Sequence, residues 1–232
     1  MRKLFLILAV SLIAQYAFGQ IALGINANSN YSFLTSLDND VDVSPGGIAV
    51  GYGFSADLYF TENYALTTGL EMINYRGINL HAIDMTSIVQ FANVDISGVI
   101  ADTFALTKAK ASYLAIPITL KLNTVEIGYN TFFADFGIVS GFIRNAKGTV
   151  QLKTEGSEDE IKLEEIEIAA IKMVNQLLLS YRVGAGVSYA LGGSTALNLG
   201  LYYDSSMRNF INLDTQEGVL LNNIALRAAV MF

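Results

Sequence analysis

The sequence predicts an all-β protein, an eight-stranded antiparallel transmembrane β-barrel, and three observations lead to this prediction. The last run of the chain alternates apolar residues with small or polar ones and ends on Phe232, as expected for a strand that faces lipid on one side. No apolar run after residue 20 reaches the ~20 residues that a membrane-spanning helix needs. Long and short segments alternate between the predicted strands, which is typical of barrels that cross a membrane.

The first 19 residues are expected to be a secretory signal peptide. Arg2 and Lys3 precede an apolar stretch over residues 4–13, and small residues follow it. This stretch is too short to span a bilayer, and the order of features is that of a cleaved export signal. We therefore expect cleavage after Gly19, one barrel domain over residues 20–232, and a location in an outer membrane.

Composition excludes several other classes of protein. Two of the 14 basic residues lie in the predicted signal peptide, which leaves 12 basic against 21 acidic residues and a formal charge of −9. No nucleic-acid partner is expected, because such binding needs a basic surface. The chain has no cysteine, so it offers no disulfide, thiolate metal ligand or cysteine nucleophile. A hydrophobic content of 52% with 13 Phe and 12 Tyr favours strands.

Period-two alternation predicts eight strands. Each has large aliphatic or aromatic residues on one face and glycine, polar or charged residues on the other. Their lengths suit tilted strands that cross the hydrocarbon layer. The predicted strands cover residues 20–29, 47–60, 64–75, 112–122, 131–143, 177–191, 195–205 and 221–232.

The connections between these strands alternate in length. Outer-membrane barrels have short periplasmic turns and longer external loops, and an even number of strands places both ends of the chain on the periplasmic side. The predicted short turns are residues 61–63, 123–129 and 192–194, and the predicted long loops are residues 30–46, 76–111, 144–176 and 206–220.

The ionised residues of the strands are predicted to lie inside the barrel. A basic side chain that faces lipid costs about 2–4 kcal/mol at the bilayer midplane, whereas acids and bases in a lumen can pair. A soluble barrel of the lipocalin type would enclose its apolar face instead, but here glycines share the charged face, and glycine suits the concave side of a bent strand. Because the side chains of an eight-stranded barrel fill its interior, we expect a packed polar core rather than a general pore. The predicted lumen network consists of Asp57, Glu71, Lys121, Asp135, Arg182, Asp204 and Arg227.

Pro117 interrupts the fourth predicted strand. Proline cannot donate a hydrogen bond to the strand ladder, so a proline in the middle of a strand predicts a bulge or a local break. In the predicted register its ring points into the lumen. We interpret Pro117 as a residue that shapes the barrel.

Residues 113–121 carry a resemblance to a known family. They read Tyr-Leu-Ala-Ile-Pro-Ile-Thr-Leu-Lys and resemble a strand of the PorT-like outer-membrane β-barrel proteins of the Bacteroidetes type. The preceding strand, with Glu71 and Gly77, and the glycine-rich segments 136–141 and 183–187 are similar to other strands of that family. The resemblance implies an outer-membrane location. The family's namesake is associated with protein secretion across the outer membrane, so an accessory role in secretion is an alternative function.

The long loops contain two patterns that resemble known motifs. Asp38, Asp40 and Asp42 have the spacing of the start of a calcium loop, but the glycine and the closing glutamate of that motif are missing, so a solvated turn is expected and no metal. Residues 157–160 form a capping-box pattern, which favours a short external helix through about Lys172.

Two further loop features remain open. The alternative to that helix is a hairpin that extends the fifth and sixth strands, with Val150, Leu152, Ile166 and Ile168 as strand residues. The loop over residues 78–111 is unusually apolar, and it either continues its strands beyond the membrane or folds over the barrel mouth as a partner site.

No enzymatic activity and no cofactor are expected. His81 is the only histidine, and although Asp84, Ser87 and Ser97 lie near it in sequence, no motif specifies a triad. The predicted function is a structural, assembly or surface-interaction role through the external loops, and a lipid-modifying enzyme is the second alternative. The expected partners are outer-membrane lipids and lipopolysaccharide, the latter through cations at the acidic residues 155–167, and an envelope protein.

Overall fold

The computed structural model describes residues 20–36, 41–43, 46–82, 103–153, 160–166, 174–210 and 219–232. The elements in these ranges are all strands. Within them no helix is long and apolar enough to cross a membrane. The predicted signal peptide lies outside the described residues, as do Asp38 and Asp40.

Ten strands are present in the described residues. All eight predicted strands are among them, and β2 and β7 are two short additional ones. At the short-turn end each strand begins or ends within one residue of its predicted position, whereas several strands run further than predicted at the other end. The bounds are β1 Gln20–Ser36, β2 Val41–Val43, β3 Gly47–Tyr59, β4 Tyr64–Ala82, β5 Thr103–Asn123, β6 Asn130–Lys153, β7 Glu160–Ile166, β8 Leu177–Gly192, β9 Thr195–Ser206 and β10 Val219–Met231.

Eight of these strands close into one antiparallel barrel. The order is β1-β3-β4-β5-β6-β8-β9-β10, and β10 pairs with β1. Gly24 lies opposite Met231 at one end of that last pairing and Ser36 lies opposite Val219 at the other. A closed sheet leaves no unpaired edge, as a backbone that lies in lipid requires. The predicted fold class is confirmed.

The short turns all lie at one end of the barrel, together with both ends of the described chain. The short connections are residues 60–63, 124–129 and 193–194. Phe232 donates its backbone N–H to the carbonyl of Leu23 at 2.7 Å, which fixes the last residue at this end. The other end carries every longer connection, so the predicted alternation of loop lengths is confirmed.

The outward face of the barrel is apolar and has aromatic residues at its short-turn border. The rings of Phe60 and Tyr64 stack with centroids 6.1 Å apart, and those of Tyr129 and Tyr189 are also 6.1 Å apart. Aromatic rings of this kind sit at the level of lipid headgroups. The exposed aliphatic residues above them include Ile25, Val50, Leu70, Ile116, Ile118, Ile138, Val183, Leu199, Leu201 and Leu226.

One side of the barrel rises above the rest, and we call it the extended wall: residues 73–82 of β4, 103–112 of β5 and 143–153 of β6, with β2 and β7 attached. β6 has 24 residues, compared with 13 in β10. The pairing of β6 with β8 ends at Phe142, and beyond that point β6 pairs with β7. Four register shifts between Tyr75 and Leu80 and between Thr107 and Tyr113 lie in or at the base of this wall. Such bulges bend and twist strands.

The expectation of a helix after residue 157 is wrong. Residues 160–166 form β7 and pair antiparallel with the end of β6. The alternative hairpin is confirmed for the predicted fifth strand, which extends to Lys153, but β7 is a separate strand and the predicted sixth strand, β8, begins at Leu177. Leu152 lies opposite Ile161 and Val150 opposite Leu163, so the pairing sets apolar residues against apolar residues. A neighbouring strand that offers a full ladder of hydrogen bonds outweighs a local capping signal. Residue 168 lies outside the described part of the chain.

The seam between β3 and β4 is bridged by side chains near the long-loop end. The ladder stops at Tyr52 and Met72. Above it, Asn74 donates its side-chain N–H to the carbonyl of Val50 at 2.6 Å, and Asn30 donates to the carbonyl of Asn74 at 2.7 Å. These amides replace the missing backbone partners of a strand pair.

Candidate functional site

All seven residues of the predicted lumen network lie inside the barrel. Period-two alternation places each of them on the face opposite the lipid-facing side chains. Their exposed fractions lie between 1% for Glu71 and 8% for Arg227. The members, by strand, are Asp57 on β3, Glu71 on β4, Lys121 on β5, Asp135 on β6, Arg182 on β8, Asp204 on β9 and Arg227 on β10.

Arg182 is the centre of the group nearer the long-loop end. Its Nε donates to Asp204 Oδ1 at 2.7 Å and its Nη2 to Asp204 Oδ2 at 2.9 Å. Its Nη1 donates to Glu71 Oε2 at 3.1 Å, and Arg227 also contacts Glu71. The forked pairing with Asp204 satisfies both oxygens of that carboxylate, a geometry that only arginine provides.

A second group lies nearer the short turns. Lys121 Nζ donates to Asp57 Oδ2 at 2.7 Å, and Thr67 Oγ1 donates to Asp57 Oδ1 at 2.6 Å. The ammonium group of Lys121 lies 4.8 Å from the centre of the Phe133 ring. Asp135 is the register neighbour of Lys121 on β6, and its Oδ2 accepts a hydrogen bond from Tyr202 at 2.8 Å.

Tyr202 joins the two groups and is not among the seven predicted members of the network. The guanidinium carbons of Arg182 and Arg227 lie 5.6 and 5.4 Å from the centre of its ring, which favours both cations. The available signal was its position: Tyr202 shares the inward face of β9 with Asn198 and Asp204. Its neighbour Tyr203 lies on the outward face.

Glycines make room for the charged side chains. Glu71 lies opposite Gly53, Asp135 opposite Gly184 and Arg227 opposite Gly200 in the strand registers. A Cβ atom at Gly184 would lie 2.3 Å from Cδ1 of Tyr202, so no larger residue fits there without a shift. The glycines of the inward face therefore set which positions can carry a large polar group.

Aromatic and aliphatic side chains fill the lumen at the long-loop end. Tyr75 and Tyr113 pack edge to face with centroids 5.9 Å apart, and both are fully buried. The Tyr113 hydroxyl donates to the carbonyl of Asn175 at 2.9 Å. Val174 and Phe210 are each 1% exposed above them. We call this set the aromatic plug; among the described residues it fills the lumen above the charged network.

The short-turn end is open instead and forms a vestibule of about 720 Å³. Its rim includes Glu62 and Glu126, and Lys121 and Asn198 lie at its inner end. The remaining lining combines apolar residues with uncharged polar ones, and the latter include Gln20, Asn63, Asn123, Thr124, Thr131, Ser188 and Ser194.

A second, smaller cavity of about 20 Å³ lies deeper in the lumen. Lys121, Asn198 and Met231 line both cavities, so the small one adjoins the inner end of the vestibule. Asp135 also lines it. Among the described residues, Oδ1 of Asp135 and Oδ1 of Asn198 have no hydrogen-bond partner, which is unusual for buried oxygens.

The sequence model of one protein family, described as the outer membrane protein β-barrel domain, matches residues 13–212 of the chain. This protein belongs to that family. The match covers most of the barrel, and together with the closed sheet it places the protein in the outer membrane. No curated protein matches the chain.

Solved outer-membrane barrels are similar to this family member in fold. The attachment invasion locus protein Ail of Yersinia pestis shares 10% identity at a TM-score of 0.39, over 91% of this chain and 98% of Ail. Neisserial surface protein A shares 11% identity at a TM-score of 0.43, over 91% of this chain and 99% of that protein. OprG of Pseudomonas aeruginosa shares 10% identity at a TM-score of 0.42, over 91% of this chain and 94% of OprG.

Pro117 lies on the inward face of β5 and is buried. On the β6 side it pairs in register with Val139. On the β4 side the ladder has a gap between the pairs Thr68–Ile118 and Glu71–Ala115. The proline therefore lies at a local break in the pairing with β4 and does not produce a bulge, because the register is the same on both sides of the gap.

The loop candidates of this family member are described only in part. Asp42 belongs to β2 and lies opposite His81 of β4 in the register, and their side chains lie outside the described residues. Residues 83–102 also lie outside. Within the described ranges, no group of three or more His, Asp or Glu is arranged to hold a metal ion.

Proposed function

We propose that this outer-membrane barrel has a structural and surface-interaction role, with its long-loop end as the interaction platform. The observation that carries the proposal is the extended wall, which prolongs β4, β5 and β6 beyond the shorter strands of the barrel. It contains register shifts of the kind that β-bulges produce, and bulges re-aim side chains. Binding residues commonly lie on loops and strand ends that a rigid scaffold positions.

Shortening the segment of the chain that connects β4 to β5 tests the proposal. Replacing residues 83–102 by a short Gly-Ser turn should leave a folded barrel, seen as a gel band that shifts on boiling. The variant should lose the envelope components that cross-link to the intact protein in outer membranes. A matched control shortens the turn at residues 124–129. Equal cross-linking of all three proteins would contradict the proposal.

The second part of the proposal is that the barrel is not a general pore. Its support is the aromatic plug above the charged network, in which Tyr75 and Tyr113 are 2% and 0% exposed. Single-channel recordings of the purified protein should therefore show no steady conductance. A stable open level would contradict this part.

The partners proposed for the outer face are outer-membrane lipids and, at the long-loop end, lipopolysaccharide and an envelope protein. The apolar belt and its aromatic border support the lipid contact. The acidic run over residues 155–167 supports a cation-bridged contact with lipopolysaccharide. Binding of the purified protein to vesicles of lipopolysaccharide or of phospholipid, measured with and without divalent cations, distinguishes the lipid contact from the cation-bridged contact with lipopolysaccharide.

A PorT-like accessory role in protein secretion is the second candidate function. Its support is the strand over residues 113–121, which resembles a strand of that family and includes the network member Lys121. Deleting the gene and measuring the amount of secreted protein in the medium tests it. Unchanged secretion would leave the structural role as the function.

We propose no enzymatic activity for the barrel. The one histidine, His81, lies on the extended wall opposite Asp42, and the sequence carries no nucleophile motif around it. The variant His81→Ala should therefore leave the lipid composition of the outer membrane unchanged. A changed composition would favour the lipid-modifying alternative.

A further inference from the structure

We propose that the vestibule and the small cavity at its inner end form a binding site for a small organic cation. The ammonium group would lie in the small cavity, where Asp135 and Asn198 accept its hydrogen bonds. The body of the ligand would lie in the vestibule, and Glu62 and Glu126 would attract it at the rim.

The sizes of the two cavities fit this division. The small cavity has a volume of about 20 Å³, and one water-sized group needs roughly 10–15 Å³ on such a measure. An ammonium group is of that size. The vestibule, of about 720 Å³, is large enough for the rest of a small polyamine, and the two cavities share Lys121, Asn198 and Met231.

The small cavity contains unpaired acceptor oxygens of Asp135 and Asn198, and Arg227, whose Nε has no partner among the described residues, also lines it. Asp135 is 4% exposed, and Tyr202 occupies only its Oδ2. Asn198 is 9% exposed, and its Oδ1 has no partner among the described residues. A buried oxygen without a donor is costly, and an ammonium donor to a carboxylate makes one of the stronger hydrogen bonds in proteins.

The charge balance favours a cation over an anion. The small cavity is lined by two acids, Asp57 and Asp135, and two bases, Lys121 and Arg227, and Lys121 already binds Asp57 at 2.7 Å. Glu62 and Glu126 add two negative charges at the rim, and Lys121 is the one basic side chain among the described residues that line the vestibule. Arg227, which also lines the small cavity, contacts Glu71.

The site has one entrance. Among the described residues, the aromatic plug fills the lumen above the charged network, so a ligand enters and leaves through the vestibule, on the periplasmic side. The inference is thus independent of the interaction role proposed for the other end of the barrel.

The absence of cysteine allows a direct test by thiol labelling. Ala196 lines the vestibule, and Met207 is 53% exposed at the opposite end of the barrel. Purified Ala196→Cys and Met207→Cys proteins are each treated with a positively charged trimethylammonium-ethyl methanethiosulfonate and with a negatively charged sulfonatoethyl methanethiosulfonate. The ratio of the two rates is compared between the sites, which removes the intrinsic difference between the reagents.

The rate ratio at Ala196→Cys should exceed that at Met207→Cys by about 10-fold, the size of effect that a cleft of one charge sign produces. Adding Glu62→Gln and Glu126→Gln to Ala196→Cys should bring the ratio down at least threefold. These two glutamates are exposed in turns, so the substitutions should not prevent folding. Equal ratios at the two labelled sites would overturn the proposal.

Competition with spermidine tests the inner acceptors. Spermidine should slow the labelling of Ala196→Cys in a saturable manner and leave Met207→Cys unaffected. Adding Asp135→Asn, which keeps the shape and an oxygen for Tyr202, should weaken this protection at least 10-fold, while heat-modifiable migration shows that the barrel still folds. Protection that is absent, or unchanged by both Asp135→Asn and the alternative Asn198→Ala, would overturn the site.

Discussion

The two ends of the lumen contrast in what they are built to do. The long-loop end is packed with side chains from β4, β5 and the segments next to β8 and β9, and its tyrosines are buried. The short-turn end leaves about 720 Å³ of polar space. The charged network lies between them. The comparison shows that a barrel of this size can be closed at one end by packing and remain accessible at the other.

The plug and the charged network also contribute to stability in different ways. Burial of aromatic surface stabilises the plug, and it is lost when a ring is removed. In the network, desolvation of each charge is offset by its partners, so the penalty arises when one partner is removed and the other stays. Polar residues that line the vestibule can exchange protein contacts for water. Substitutions at these three levels should therefore differ in cost.

The largest effect is expected from Glu71→Gln. This change leaves the charges of Arg182 and Arg227 in the lumen without the carboxylate that both contact, and breaking a buried ion pair costs about 3–5 kcal/mol. Urea unfolding of the barrel in lipid vesicles, followed by the folded gel band, measures the loss. The matched control Glu62→Gln at the vestibule rim should change stability by less than about 0.5 kcal/mol. Similar losses for both variants would remove the distinction between network and rim.

The second largest loss of stability is expected from a substitution in the aromatic plug. Tyr113→Ala removes a fully buried ring and should cost about 3–5 kcal/mol, whereas Tyr113→Phe loses only the hydrogen bond to Asn175, about 0.5–1.5 kcal/mol. Thr131→Ala in the vestibule should stay within about 0.5 kcal/mol. The same urea assay applies, and a tolerated Tyr113→Ala would mean that the long-loop end is not held by packing.

Much of the barrel was predictable from the sequence because one rule covers it. Lipid on one side and a narrow lumen on the other force period-two alternation, so the strand positions and the inward charges follow from the residues. Strand ends at the short turns follow as well, since glycines such as Gly192 and Gly193 (φ 123° and 63°) mark them. At the other end the strands leave the membrane, the alternation fades, and β4 through β6 run further than the pattern indicates.

The pairings within the lumen were not predictable in the same way. Glu71 and Arg182 are 111 residues apart and lie on strands that are not neighbours, so their contact depends on the register of the whole barrel. Four acids and three bases allow many pairings on the inward face, and Tyr202 carries no charge that would single it out. The strand β7 depends likewise on its pairing with β6, against a local signal for a helix.

The smallest of the three effects compares two adjacent tyrosines on opposite faces of β9. Tyr202→Phe keeps the ring beside Arg182 and Arg227 but removes the donor to Asp135, and a buried carboxylate that loses a donor costs about 1–3 kcal/mol. Tyr203→Phe removes the contact of an outward hydroxyl with Asn222, about 0.5–1.5 kcal/mol. Urea midpoints of the two variants measure the difference, and if Tyr203→Phe were the more costly change, Tyr202 would not join the two charged groups. Because Tyr202→Phe also frees Oδ2 of Asp135 for a ligand donor, it should strengthen spermidine protection of Ala196→Cys, which Tyr203→Phe should leave unchanged.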